Sequence, residues 1–193
     1  MIDTTLPRCK WALSSRIEMQ YHDEVWGNPV HDSHQLFKML MLEGQQAGLS
    51  WVTILRKWNA LCTAYDDFDP ERLAQYDDAK RAELVANPGI IRNRLKIAAA
   101  TTNACAFLTM RDQGLAFDTY CWEFVDGTPI VNHWKDPTQV PSFTPIAQKM
   151  SEDLKRRGFS FVGPTIVYAF MQSTGMVNDH IRSCAFRGTA ESI

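Results

Sequence analysis

Glu43 is the residue whose placement most needs explaining. It lies in Leu42-Glu43-Gly44-Gln45-Gln46-Ala47-Gly48-Leu49-Ser50-Trp51, and the residues from 36 to 51 have helical periodicity. Wound as one helix, Leu36, Leu40, Ala47 and Trp51 fall on one side with Glu43 inside that arc, and Lys38 and Gln45 fall opposite. An isolated ionised carboxylate in apolar surroundings is costly. Glu43 must therefore find a partner, take up a proton, or line a pocket that a ligand fills. The pattern leaves these open, together with simple exposure where the helix breaks at Gly44 or Gly48.

Four ligand-type side chains form a second set. Cys9 and His22 lie in the N-terminal arm, and His180 and Cys184 share one face near the C-terminus if that segment is helical. Two cysteines and two histidines are the composition of a closed tetrahedral zinc site, with no open position for a catalytic water. Such a clasp would order two ends that otherwise fray. The plain alternative is four separate core residues.

The third set is Asn87-Pro88-Gly89-Ile90-Ile91-Arg92-Asn93-Arg94-Leu95-Lys96-Ile97. A helix ending at Ala86, a tight Pro-Gly turn with two buried isoleucines and a restart near Arg92 would make a helix-hairpin-helix unit. Its helix start points backbone N–H groups at a phosphate, and Arg92, Arg94 and Lys96 supply charge. Such a unit holds the DNA backbone without reading sequence. A Pro-Gly turn followed by a solvated basic helix face fits the same residues.

The elements that must position these groups are helices almost throughout. Periodicity and helix formers predict them over 33–56, 59–65, 70–75, 78–86, 92–113, 119–125, 145–157 and 163–174. Caps are expected at Asp32 or Ser33, at Asp69-Pro70, at Thr144-Pro145, and at Gly158 after the basic end Lys155-Arg156-Arg157. No strand ladder or internal repeat emerges. Residues 126–143, with Pro129, Pro137 and Pro141, read as a surface connection.

Length and composition bound the class. The 193 residues fit one domain or two small lobes around a cleft. Hydrophobic residues at 45% and charged ones at 22% argue against disorder. A formal net charge of −2 excludes a globally basic nucleic-acid binder, so any DNA affinity must be local. No apolar run of about 18 residues or signal-peptide core appears, which predicts a cytoplasmic protein off the membrane. The odd count of five cysteines favours thiols or metal ligands over disulfides.

These segments, with Cys9-Lys10-Trp11, Tyr21-His22-Asp23-Glu24-Val25-Trp26-Gly27, Lys155-Arg156-Arg157-Gly158-Phe159, Phe161-Val162-Gly163-Pro164-Thr165 and Val177-Asn178-Asp179-His180, resemble the 3-methyladenine DNA glycosylase I family of bacterial alkylation repair. The resemblance runs in order from Cys9 to about Cys184. It implies an all-α helix-hairpin-helix glycosylase fold over residues 1–193, as one catalytic domain of two helical lobes around a cleft. It also implies one structural zinc on Cys9, His22, His180 and Cys184, clasping the N- and C-terminal segments, and a deep aromatic pocket for an everted base.

The implied activity is monofunctional excision of 3-methyladenine from alkylated double-stranded DNA by a monomer, releasing the free base. Tyr21 and Trp51, with Trp11 and Trp26 as further walls, would stack on the cationic ring, and Glu43 would accept from its exocyclic amine. Gly89, Ile90, Arg92, Arg94 and Lys96 would hold the DNA backbone, and Leu49 would fill the gap left by the base. Asp112 and Asp118 match no catalytic motif, and His31, His34 and His133 read as surface or loop residues. Glu18 stands near Tyr21, where the resemblance implies an aromatic ring and this chain departs from it. A noncatalytic damaged-DNA-binding module and a zinc-stabilised interaction domain are the rival readings.

Overall fold

A computed structural model describes residues 2–188, to which the statements below refer. It contains nine α-helices: α1 (Arg16–Glu24), α2 (Ser33–Gln46), α3 (Trp51–Ala64), α4 (Pro70–Ala74), α5 (Asp78–Ala86), α6 (Arg94–Asp112), α7 (Phe117–Glu123), α8 (Pro145–Arg156) and α9 (Pro164–Ser173). The predominance of helix agrees with the periodicity, and local chemistry sets most of the boundaries. Asp32 caps α2 by accepting from Gln35 N at 2.8 Å, Asp69 accepts from Glu71 N at 2.9 Å ahead of Pro70, and Thr144 caps α8. Gly158, at φ +95°, follows the last turn of α8.

Several expectations are corrected. The helix expected over 33–56 is two helices, α2 and α3, separated by a turn at 47–50 in which Gly48 takes φ +77°. An L-side chain is strained there, so the glycine can end α2 and redirect the chain. Gln45, expected to face away from the core, is only 2% exposed. Helix α2 is central, packing against α9, α7, α3 and α6, and is buried nearly all round over 39–45, so a two-sided wheel does not describe it. Helix α1 lies in the arm left without an element. Ser15 accepts from Glu18 N at 3.3 Å and donates to its carboxylate at 2.7 Å, a Ser-x-x-Glu start legible in hindsight.

The stretch at 126–143 is likewise more than a connection. Ile130–Val131 pairs in parallel with Val177–Asn178, as strands β1 and β2, in the register Ile130 to Val177. Two residues per strand are too few to leave a periodic signal. Asp179, immediately after β2, fastens the same stretch. Its carboxylate accepts from Asn132 Nδ2 and Trp134 Nε1, both at 2.7 Å, from Gln172 Nε2 at 2.6 Å, and from the Tyr168 hydroxyl. Helices α5 and α6 bracket the turn at 87–93, where Asn87 Oδ1 accepts from Gly89 N at 2.8 Å and Lys57 donates to the Gly89 carbonyl at 2.9 Å. Helix α6 begins at Arg94, capped by Asn93, two residues later than expected.

Candidate active site and metal centre

The chain ends meet in one buried cluster. Cys9, His22, His180 and Cys184 are all buried, and their ligand atoms lie within 4.8 Å of one another. Sulfur–nitrogen separations are 3.3 Å for Cys184–His180, 3.5 Å for Cys184–His22 and 3.7 Å for Cys9–His180. A tetrahedral zinc with ordinary bond lengths sets such edges at about 3.5 Å, so the donor set fits that ion in spacing as well as in type. His180 and Cys184 do not meet on a helix face. The chain after β2 is a turn, in which Cys184 N donates to Ile181 O at 2.9 Å.

Supporting contacts surround the cluster. His22 Nδ1 lies 2.9 Å from Asp23 Oδ1, leaving Nε2 to face the sulfurs. Asp23 in turn accepts from buried Arg8 at 2.7 and 2.8 Å. A carboxylate behind a histidine fixes tautomer and ring direction at metal sites. Gly27, at φ +83°, leaves room for His180, whose Nε2 would lie 2.9 Å from any Cβ there.

A cavity of about 320 Å³ opens beside this cluster. Trp11, Tyr21, Trp26 and Trp51 line it, with ring centroids 5.3 Å apart for Tyr21–Trp51 and 5.2 Å for Trp11–Trp26. The first turn of α3 presents Trp51 and the last turn of α1 presents Tyr21. Helix α2 contributes Glu43 and Gln46. Trp26 also lies 4.6 Å, ring to ring, from His180, so one aromatic shell serves both cavity and cluster.

Polar atoms without a partner occur in the cavity as they do at Gln45 Oε1, Tyr65 OH and Tyr120 OH elsewhere, but among the described residues only in the cavity do they stand beside a carboxyl that burial raises. Tyr21 OH and Trp51 Nε1 are buried with no partner, although such groups in a finished core are nearly always paired. Glu43 is 3% exposed, and burial pushes its carboxyl up to about 8, with the Ser173 hydroxyl pulling the other way. Burial, reinforced by the Glu43 charge, holds the Tyr21 phenol well above its usual range. The lining contains no lysine or arginine. Flat aromatic walls, unmatched polar atoms and a carboxyl without a cationic neighbour suit a planar, positively charged ring with its own hydrogen-bonding edge.

All five residues expected at the base pocket thus line one cavity, and the four expected ligands form one cluster. Gln46 and Glu18 also line the cavity. Gln46 stood inside the motif that singled out Glu43, but nothing in its type marked its direction. Asp112 and Asp118 lie elsewhere: Asp112 pairs with Arg111 at 3.2 Å, and Asp118 accepts from Ser33 at 2.7 Å. His31 stacks on Trp122, and His34 and His133 make local contacts outside the cavity.

The expected phosphate-holding residues divide. Arg92 and Arg94 are exposed near the start of α6, Gly89 is half-buried and Ile90 is buried in the turn. Leu49 is exposed at the turn between α2 and α3. Lys96 departs from the expectation. It is 5% exposed, and its Nζ donates to Gln45 O at 2.8 Å and Ala47 O at 2.7 Å. In a helix, position 96 lies two residues from Arg94 and faces another way, so the basic run divides between solvent and interior.

A helical protein with an aromatic, carboxyl-bearing pocket set against a buried cysteine–histidine cluster is the class that fold and site define. The methyladenine glycosylase family matches residues 11–188. A DNA-3-methyladenine glycosylase of Haemophilus influenzae is 44% identical over 177 residues, covering 92% of this chain and 96% of its own length. DNA-3-methyladenine glycosylase 1 of Escherichia coli is 42% identical over 179 residues, covering 93% and 96%. A crystal structure of a 3-methyladenine DNA glycosylase I superposes with a TM-score of 0.91 at 44% identity, covering 93% of this chain and 98% of that one. A tyrosine-to-phenylalanine variant solved in complex with 3-methyladenine superposes at 0.90 with 34% identity, covering 93% and 97%. The chain belongs to the methyladenine glycosylase family.

Proposed function

We propose that the protein is a DNA-3-methyladenine glycosylase that hydrolyses the N-glycosidic bond of 3-methyladenine in alkylated DNA. The carrying observation is the cavity's unmatched chemistry: a desolvated Glu43 carboxyl and two unpartnered donors among aromatic rings, in a chain of this family. Methylation at N3 gives the base in DNA a formal positive charge. When the bond from N9 to the sugar C1′ breaks, its electron pair neutralises the ring, so the base departs without needing a proton from the protein. Water adds at C1′ and loses its proton to solvent. The pocket's contribution is to capture the cationic lesion and hold it everted with C1′ open to water, since the attraction of a carboxylate and aromatic faces for the ring is greatest before the charge is neutralised.

Each pocket residue has a definable part in this reading. Tyr21 and Trp51, with Trp11 and Trp26 beside them, stack on the everted ring. Glu43 accepts from the exocyclic amine, and as the carboxylate it opposes the positive charge. Guanine offers an acceptor, O6, where adenine offers that amine, which disfavours it.

The substrate is double-stranded DNA, held by a helix-hairpin-helix unit formed from α5, the turn at 87–93 and α6. Arg92 and Arg94 hold phosphates, Gly89 and Ile90 shape the turn, and Leu49 occupies the space left by the flipped base. Cys9, His22, His180 and Cys184 would hold zinc, which when bound would cross-link the two chain ends, and Trp26, packed 4.6 Å ring to ring from His180, carries that order to the pocket wall. The protein acts as a monomeric cytoplasmic enzyme with residues 1–193 as one catalytic unit, a placement in keeping with its bacterial DNA-repair relatives. No described helix is long and apolar enough to cross a membrane.

Release of free 3-methyladenine from methylated duplex DNA tests the activity directly. Stoichiometric release with abasic-site formation is expected. Tight binding of the lesion without release would point to the noncatalytic module.

A further inference from the structure

Of the three cations in the basic run, Lys96 alone is withdrawn from solvent, and both of its partners are backbone carbonyls. Those carbonyls, from Gln45 and Ala47, belong to the last turn of α2 and the residue that follows it. The C-terminal carbonyls of a helix lack intrahelical partners and form the negative end of its dipole, so a buried ammonium there is well matched. Desolvation lowers the Lys96 pKa, and the two carbonyls are the groups that repay an ammonium at this position.

The contact joins two elements far apart in sequence. Lys96 stands in the first turn of α6, where Asn93 Oδ1 accepts from Leu95 N at 2.9 Å and from Lys96 N at 3.2 Å, next to exposed Arg94. On the other side is the turn at 47–50, with Leu49 40% exposed. Within that turn Leu49 N donates to Gln46 O at 2.6 Å and Ala47 N to Gly44 O at 3.3 Å, while Ser50 is tied forward to Thr53 through its carbonyl at 3.0 Å and its hydroxyl at 2.8 Å, so the Ala47 side is where Lys96 adds anchorage. Glu43, by contrast, sits inside the buried part of α2, and Trp51, although it follows the turn directly as the first residue of α3, is braced by the rings of Tyr21 and Trp58 at 5.3 and 6.3 Å.

We propose that Lys96 is a positioning residue that ties the phosphate-facing start of α6 to the turn at 47–50 and so sets where Leu49 enters DNA. The inference rests on the reading of Leu49 as the residue that replaces the flipped base. Its consequence is selective. Loss of the ammonium should impair attack on a lesion within a duplex while leaving the pocket's grip on the free base in place.

A double-mutant cycle on the full chain tests this, using Leu49→Ala, Lys96→Met and the double variant. The readouts are kcat/KM on duplex DNA containing 3-methyladenine, affinity for free 3-methyladenine, and Tm. Each single variant should lower duplex kcat/KM about 10-fold, and the double variant should fall no more than about 3-fold below the worse single, because both disable one device. Free-base affinity should stay within about 2-fold in all three. Lys96→Arg, which keeps a multiple donor, should recover most of the loss.

Multiplicative losses in the double variant overturn the role assigned to Lys96, and so does a parallel loss of free-base affinity. An inert Leu49→Ala overturns the underlying reading of Leu49, and the inference falls with it. If Lys96→Met does not fold, the same cycle with Lys96→Gln decides on the same criterion.

Discussion

The cysteine–histidine cluster and the aromatic cavity share a wall yet differ in how their polar atoms are matched. In the cluster, each donor faces another within 4.8 Å, His22 is backed by Asp23, and Asp23 by Arg8. In the cavity, Tyr21 OH and Trp51 Nε1 face no partner, and the Glu43 carboxyl is raised to about 8 by burial. A group that stabilises the fold is closed on itself. The cavity's unmatched groups instead surround a desolvated carboxyl, where a ligand could complete them. The two sites should therefore respond oppositely when a residue is removed.

The largest effect should come from the cluster. Purified protein should carry one equivalent of zinc, and Cys184→Ser or chelation should lower Tm by about 10 °C or more, since metal binding to such a site is folding free energy. Metal analysis and a thermal melt check both. Less than half an equivalent after metal-replete expression would break the comparison.

Glu43→Gln should do the reverse, leaving the fold intact and lowering kcat/KM about 10- to 100-fold through loss of a charged hydrogen bond. The sign of its pH dependence follows from the raised pKa. The carboxyl is easier to protonate folded than unfolded, so its contribution to stability is full below about 4.5 and is lost as pH rises through about 8. The Tm advantage of Glu43→Gln over the wild type should accordingly be larger at pH 9 than at pH 5. The wild-type kcat/KM profile should rise through an apparent pKa near 8 that vanishes in the variant. A collapsed Tm would make Glu43 a structural residue and erase the contrast.

Smaller effects sharpen the picture within the working surface. Trp51→Ala should weaken free-base affinity about 3- to 10-fold, the worth of one aromatic face. Arg92→Ala should weaken damaged and undamaged duplexes alike by a few-fold and reduce the salt slope by about one, as expected for a lost phosphate contact. A change in discrimination at constant salt slope would remove Arg92 from the phosphate surface.

Much of the helical frame was legible because its signals are local. Asp32, Asp69-Pro70, Thr144-Pro145 and Gly158 act within one turn of themselves, and each marks a boundary that the structure contains. The break after Gln46 was less so. Periodicity continued through Ala47 and Trp51, and only the φ of Gly48 shows that the phase match was coincidental. Trp51 still reaches the cavity, from the start of a second helix. Strands β1 and β2 left no signal, since their pairing is long-range and each is two residues long.

Residue types and their order, by themselves, determined most of the helical frame, the inventory of possible ligands and the singling out of Glu43 on an apolar arc, because caps, periodicity and the cost of an apolar carboxylate act over short spans of chain; that Glu43 is buried and not exposed at a helix break was decided by the fold. Which cysteine meets which histidine, that Lys96 turns inward while Arg92 and Arg94 stay in solvent, and that Tyr21 and Trp51 remain without partners were decided only by tertiary structure. Those outcomes depend on distances between residues remote in sequence and on how completely the intervening side chains exclude water, and neither quantity is written in local pattern.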